Sequence, residues 1–209
     1  MKNDPSGVLG LIATNLVAIA IAWWQHWPLV TLLWPYWMQS VIIGWYSRKR
    51  ILALHEFSLA NTGGFDRGSP QATKRGTARF FVMHYGVFHL AYALFLWGAT
   101  RGKVGGVTPY HVDALDLVFM AGLAVSFVIT HRAAYRRIMA ADEHSKPNIG
   151  AVMFLPYLRI VPMQLTIVLG LAAGHGGGVL LFGTLKTAAD ALMQWIEHRI
   201  TGATAASPT

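Results

Sequence analysis

Phe80 to Thr100 reads FFVMHYGVFHLAYALFLWGAT, a run long and apolar enough to cross a bilayer as one helix. Such a helix needs roughly 20 largely apolar residues, with about 17 as the lower limit. Five further segments meet the same criterion: Val8 to Trp24, Leu29 to Tyr46, Ala114 to Thr130, Ala151 to Gly174 and Val179 to Ile200, the last two being the least purely apolar. The expected fold is therefore all-α: a polytopic membrane protein with six transmembrane helices, forming one domain over residues 1–209. Gln25 to Pro28 is a tight Trp-Pro connection and His175 to Gly178 a Gly-rich one, so spans one and two, and five and six, read as hairpins. Met1 to Gly7 leads into the first apolar run without a small-residue cleavage site, which reads as a first helix and not as a cleaved signal peptide. Pro35, Pro156 and Pro162 fall inside spans, where proline more often kinks a helix than breaks it.

Composition agrees with that reading. With 54% hydrophobic residues, 12% charged ones and a mean hydropathy of +0.42, the chain lacks the polar residues to cover a water-soluble surface. Eight Trp, seven Tyr and ten Phe suit a bilayer protein, whose amphipathic rings gather at the interfaces; Trp23, Trp24 and Trp27 look like one such belt. The absence of cysteine excludes disulfides, thiolate metal sites and thiol catalysis.

The net charge of +8 raises the question of nucleic acid, because clustered cations neutralise phosphates. Here the cations flank apolar runs, where they orient helices and meet anionic lipid headgroups, so no nucleic-acid partner is expected. One side of the membrane takes Lys2, the group Arg48, Lys49, Arg50, Arg67, Lys74, Arg75 and Arg79, the group Arg132, Arg136, Arg137 and Lys146, and Arg199. The other side has Arg101 and Lys103, and Arg159 and Lys186 remain inside spans. Since Lys and Arg accumulate in cytoplasmic loops, both termini and the loop 47–79 are expected in the cytoplasm. The start of that loop, Ser47 to Arg50, suits the lipid interface.

Charges in hydrocarbon cost at least about 2.5 to 3.5 kcal/mol each on insertion scales and persist only when paired or turned inward. The second span holds Gln39; the third His84 and His89; the fifth Arg159 and Gln164; the sixth Lys186, Asp190, Gln194, Glu197 and His198. Lys186, Asp190, Gln194 and His198 recur every four residues and so share one helix face. A rise of about 1.5 Å per residue puts His89, Arg159 and Asp190 at about 12 to 15 Å depth, and Gln164 with Lys186 at about 20 Å. These residues predict a polar column between spans three, five and six, with Asp190 pairing Arg159, Lys186 or both. Such a column binds a small ligand or cation, or glues helices together as buried hydrogen bonds do.

A metal would draw on His84, His89, Asp190, Glu197 and His198, and a divalent ion is the cofactor they would suit. Against it, His84 and His89 stand about 140° apart on a helix, and no zinc signature is present. His26, His55, His111, His131, His144 and His175 read as solvated. Ser40 and Ser126 are lone span hydroxyls without a nucleophile elbow, and such serines more often bond their own helix's carbonyls.

Four stretches, Tyr36 to Tyr46 (YWMQSVIIGWY), Phe80 to Phe88 (FFVMHYGVF), Pro156 to Gly170 (PYLRIVPMQLTIVLG) and Leu185 to His198 (LKTAADALMQWIEH), resemble a domain-of-unknown-function family of bacterial multi-pass integral membrane proteins. The resemblance implies the bacterial inner (cytoplasmic) membrane and a shared inward polar set, matched here by His84, Tyr85, Gly86, Arg159, Lys186, Asp190 and Glu197. It also implies a carboxylate where this chain has Gln39, and histidines where it has Tyr92, Gln164 and Gln194. Amides and a phenol are poorer metal ligands. The departures therefore lean the reading away from a metalloenzyme, and from an enzyme altogether. They point towards a non-metal polar site or an accessory role beside a membrane-protein partner or a second copy of the chain.

Overall fold

Among the described residues four helices form, each where an apolar run meets a chemical start signal or stop. The computed structural model describes residues 29–60, 65–102 and 111–158, with isolated positions at 20, 24, 160, 161, 165, 180, 181, 183–185, 187–189, 191 and 192. Helix α1 (Leu29–Ala53) runs through Pro35 without interruption. Helix α2 (Pro70–Thr100) opens on Ser69, whose hydroxyl accepts the Ala72 N–H at 3.3 Å, with Pro70 in the first turn. Helix α3 (Ala114–Asp142) opens on a reciprocal cap: the Asp113 carboxylate accepts the Asp116 N–H at 2.8 Å, and the Asp116 carboxylate accepts the Asp113 N–H at 3.1 Å. Helix α4 (Ile149–Phe154) is capped by Asn148 and stops short of Pro156, which has no N–H to continue the ladder. A tight turn follows, closed by the Leu158 N–H on the Leu155 carbonyl at 3.2 Å.

The expected spans over Leu29–Tyr46, Phe80–Thr100 and Ala114–Thr130 lie inside α1, α2 and α3, and each helix continues past its span at the basic end. Residues 47–53 and 70–79 of the expected loop are therefore helical. The hydropathy of a run marks the thickness of the bilayer, whereas Arg, Lys, Ala, Ile and Met beyond it carry the helix on by propensity. Helix α2 and the Asp116–Asp142 part of α3 are long and apolar enough to cross a membrane; α1, with its Trp, Tyr, Pro and Gln, is helical but less apolar. The expected span 8–24, and most of 151–174 and 179–200, lie outside the described residues.

Helices α1 and α2 are antiparallel. The Trp34 indole near the start of α1 donates to the Thr100 hydroxyl at the end of α2 at 3.0 Å, and the Lys74 ammonium near the start of α2 donates to the Leu54 carbonyl at 2.9 Å, just past the end of α1. Their core is built on Leu33, Ile51, Leu54, Phe81 and Leu96, with Ile149, Val152 and Met153 of α4 closing it. Helix α3 runs parallel to α1, joined at Gln39–His131, Tyr46–Tyr135 and Arg50–Asp142. At the basic end the two connections clasp each other. The Ser58 N–H bonds to the Pro147 carbonyl at 3.0 Å, and the Ile149 N–H bonds to the Ser58 carbonyl at 3.1 Å, forming an isolated parallel bridge. Among the described residues there is no strand.

Candidate functional site

Three of the polar groups on the described helices centre on histidines: His89 is buried, His84 lies on an exposed face of α2, and His131 is half-buried between α1 and α3. The first is built around His89, which is 5% exposed. Its Nδ1 lies 2.9 Å from the Tyr85 carbonyl and its Nε2 lies 3.0 Å from Ser40 Oγ. Its ring stacks on Tyr85 with centroids 4.1 Å apart, and its own carbonyl accepts the Trp37 indole N–H at 2.9 Å. The Tyr85 hydroxyl donates to the Ser40 carbonyl at 2.8 Å.

The proton arrangement around His89 follows from donor chemistry. A carbonyl only accepts, so Nδ1 carries a hydrogen. In a neutral ring Nε2 then accepts the Ser40 hydroxyl proton. Yet Ser40 Oγ also lies 2.9 Å from the Trp37 carbonyl and 3.1 Å from the Tyr36 carbonyl, and one proton cannot serve both helices. Two arrangements satisfy the site. Either Ser40 donates to neutral His89, or imidazolium donates to Ser40 and Ser40 donates to its own helix. The two arrangements differ in the direction in which the Ser40 hydroxyl points.

The second group centres on His84. Its Nδ1 is 2.9 Å from the Tyr157 hydroxyl, its ring stacks on Phe80 at 5.4 Å, and Phe88 meets it edge-on at 5.1 Å. Tyr85 touches both His89 and, at 5.4 Å, Tyr157, so an aromatic bridge joins the first two groups. Tyr92 is buried beside them, 6.2 Å from the His89 ring. The third group is the Gln39 amide, 3.4 Å from His131 Nε2. His84 and His89, expected on separate sides of their helix, do have separate partners. Among the described residues no set of three or more His, Asp or Glu stands close enough to hold a metal ion. Arg159, Gln164, Lys186, Asp190, Gln194, Glu197 and His198 lie outside the described residues, so only Gln39, His84 and His89 of the expected column have described surroundings.

Sequence reasoning missed several partners. His131, whose position in the sequence suggests a solvated ring, meets Gln39. Tyr157, in the stretch Pro156 to Gly170, meets His84, a pairing that no residue type or spacing marks. Above all, Asp142 binds Arg50 through two hydrogen bonds, Nε to Oδ2 at 2.7 Å and Nη2 to Oδ1 at 2.8 Å. Their side chains are only 17% and 6% exposed. Nothing in residue type or spacing marks a carboxylate 92 residues away as its partner. At the same end an open cavity of about 650 Å3 is lined by His55, Glu56, Glu143, His144 and Lys146. The Glu56–Lys146 pair there, at 2.9 Å, is about two-thirds exposed on both sides and contributes little.

These features define a class: a helical protein with polar groups held between its helices, two of which are long and apolar enough to cross a membrane. The chain belongs to the Family of unknown function (DUF6498), which it matches over residues 2–207. No curated protein and no solved structure matches it significantly.

Proposed function

We propose that the protein is a six-span integral membrane protein of the bacterial inner membrane, a single domain with both termini in the cytoplasm, whose inward polar column takes a small ligand or cation. The observation that carries this reading is the inverted surface of α2. Val82, Met83, Val87, Leu90, Leu94 and Trp97 are exposed, Val87 at 67%, while His89 and the Tyr85 ring face α1 and are buried. No described side chain in the apolar part of α3 is buried, and Val118 is 69% exposed. In water such continuous apolar faces would be a liability; in lipid they are the solvent-facing surface.

The distribution of charge adds support. The connections 54–69 and 143–148 meet at one end of the described helices. Arg48, Lys49, Arg67, Lys74, Arg75, Arg136, Arg137 and Lys146 lie on them or in the helix turns that lead to them, whereas Arg101 lies at the opposite end. This is the asymmetry expected when one end faces the cytoplasm.

A chain without cysteine makes the topology directly testable. In right-side-out vesicles a membrane-impermeant maleimide labels His111→Cys at once, and labels His144→Cys only after permeabilisation. Equal labelling of both before permeabilisation removes the six-span reading. The column has its own test. Asp190→Asn leaves the cations Arg159 and Lys186 less compensated, and lowers unfolding stability in detergent by about 1 kcal/mol, the scale of polar contacts between membrane helices. An unchanged unfolding profile counts against the column and leaves the topology standing.

A further inference from the structure

Resting on the membrane orientation proposed above, we infer that the groove between α1 and α3 at the basic end is a seat for one anionic phospholipid, its phosphate on Lys49, Arg132 and Arg136 and its chain against Ile43 and Ile138. The groove is a cavity of about 90 Å3 closed on its third side by Val152 and Leu155 of the α4 segment. That is far below the roughly 300 to 1,000 Å3 of a small-molecule cleft, and suits an ester group or the first few carbons of one chain. Of the polar groups in its wall, Arg50 is engaged with Asp142, His131 with Gln39, and the Ser47 hydroxyl with the Ile43 carbonyl, which leaves the phenols of Tyr46 and Tyr135, whose rings meet each other. An occupant therefore meets apolar and aromatic surface inside the groove.

The rim is different. The Lys49 ammonium sits 5.4 Å from the Trp45 ring centre and 5.9 Å from that of Tyr46, and the Arg48 guanidinium sits 5.8 Å from that of Trp45. Tyr46 in turn meets Tyr135 of α3 at 5.4 Å. Arg132 and Arg136, exposed, each follow by one residue a side chain that lines the groove, His131 and Tyr135. Among the described residues no carboxylate lies within ion-pair distance of Lys49, Arg132 or Arg136, the ion pairs being Arg50–Asp142 and Lys146–Glu56. Lys49, held on two aromatic faces, and the exposed Arg132 and Arg136 thus keep their charge for an anion. The position fits the same occupant. Tyr46 ends its span and Tyr135 lies beside it, so the rim falls at headgroup level on the side where anionic lipid meets basic residues between helices.

The chemistry recognised is a phosphate ester, and the test separates a lipid from free phosphate. The full chain is reconstituted in vesicles of phosphatidylcholine, alone or mixed with phosphatidylglycerol, then extracted gently and weighed by native mass spectrometry. The expected result is retained phosphatidylglycerol and a higher unfolding midpoint in the mixed vesicles. Millimolar inorganic phosphate should reproduce neither. At about fivefold per cation near a phosphate, Lys49→Gln/Arg132→Gln/Arg136→Gln loses retention by about a hundredfold, whereas Arg67→Gln/Arg75→Gln/Arg79→Gln, which spares the groove, keeps it. Ala134→Leu fills the groove with the rim intact and also loses retention, which carries the test should the rim variant fail to insert. Equal retention in all variants, equal loss from both triple variants, or replacement by inorganic phosphate overturns the inference. If the cysteine labelling has come out as expected, any of those results leaves the topology untouched.

Discussion

Asp142→Asn lowers unfolding stability by about 3 kcal/mol, the lower end of the roughly 3 to 5 kcal/mol lost when one partner of a buried ion pair is removed. The lower end is expected because the Arg50 side chain keeps 17% of its surface in contact with solvent, against 6% for Asp142. Asparagine is nearly isosteric with aspartate and still offers one oxygen, so packing is preserved. What disappears is the charge that compensates a guanidinium bound at 2.7 and 2.8 Å. The end of α3 then loses its strongest tie to α1. Arg50→Met/Asp142→Leu removes both charges together and recovers most of the loss, since the desolvation penalty goes with them. Chemical unfolding in detergent of Arg50→Met, Asp142→Leu and the double variant measures the coupling. A single-variant cost below about 1 kcal/mol, the range of exposed pairs, would show that water reaches the pair freely.

The contrast between Arg50 and Phe80–Thr100 explains how much of this protein can be read from its sequence. The apolar run announces its helix because burial of a continuous stretch in one solvent depends on composition alone. Its early start at Pro70 is written in Ser69 and Pro70, a cap and first-turn signal that a hydropathy window passes over. Prolines show the limit of local reading: Pro35 leaves α1 continuous, whereas helix α4 ends two residues before Pro156. The same residue type gives two outcomes, because neighbouring groups decide whether the freed carbonyl is satisfied. Ser40 meets its own helix's carbonyls, as a lone span hydroxyl is expected to, because that geometry is local. Its contact with His89, and the pairing of Gln39 with His131, are tertiary choices among many polar residues at similar depth. Arg50 was legible as an interfacial cation and illegible as half of a buried pair. The described part of the polar interior is thus visible as a list of residues and invisible as a set of partners.

Gly44 decides how closely α1 and α2 approach, and its substitution gives the second large effect. A Cβ at this position would lie 2.6 Å from Tyr85 Cε1, 3.0 Å from Cδ1 and 3.3 Å from Cζ. The ring has no simple escape. It stacks on His89 at 4.1 Å, packs on Phe81 at 4.8 Å and meets Tyr157 at 5.4 Å, and its hydroxyl is tied to the Ser40 carbonyl at 2.8 Å. Alanine gains about 1 kcal/mol over glycine in a helix interior. Overpacking costs about 1 to 3 kcal/mol, and loss of the Tyr85 hydrogen bond about 1 more. Gly44→Ala is therefore expected to destabilise by about 1 to 3 kcal/mol despite its better propensity, and Gly44→Leu by more, since its branches enter the ring itself. The sign reverses in a Tyr85→Ala background, where the ring is gone and the propensity gain of alanine at position 44 is left standing. That reversal separates a steric approach from any general intolerance of α1 to substitution. If Gly44→Ala costs as much beside Ala at position 85 as beside tyrosine, the two helices are not held apart by this contact. The 3.0 Å spacing of Ser40 and His89 would then need another cause.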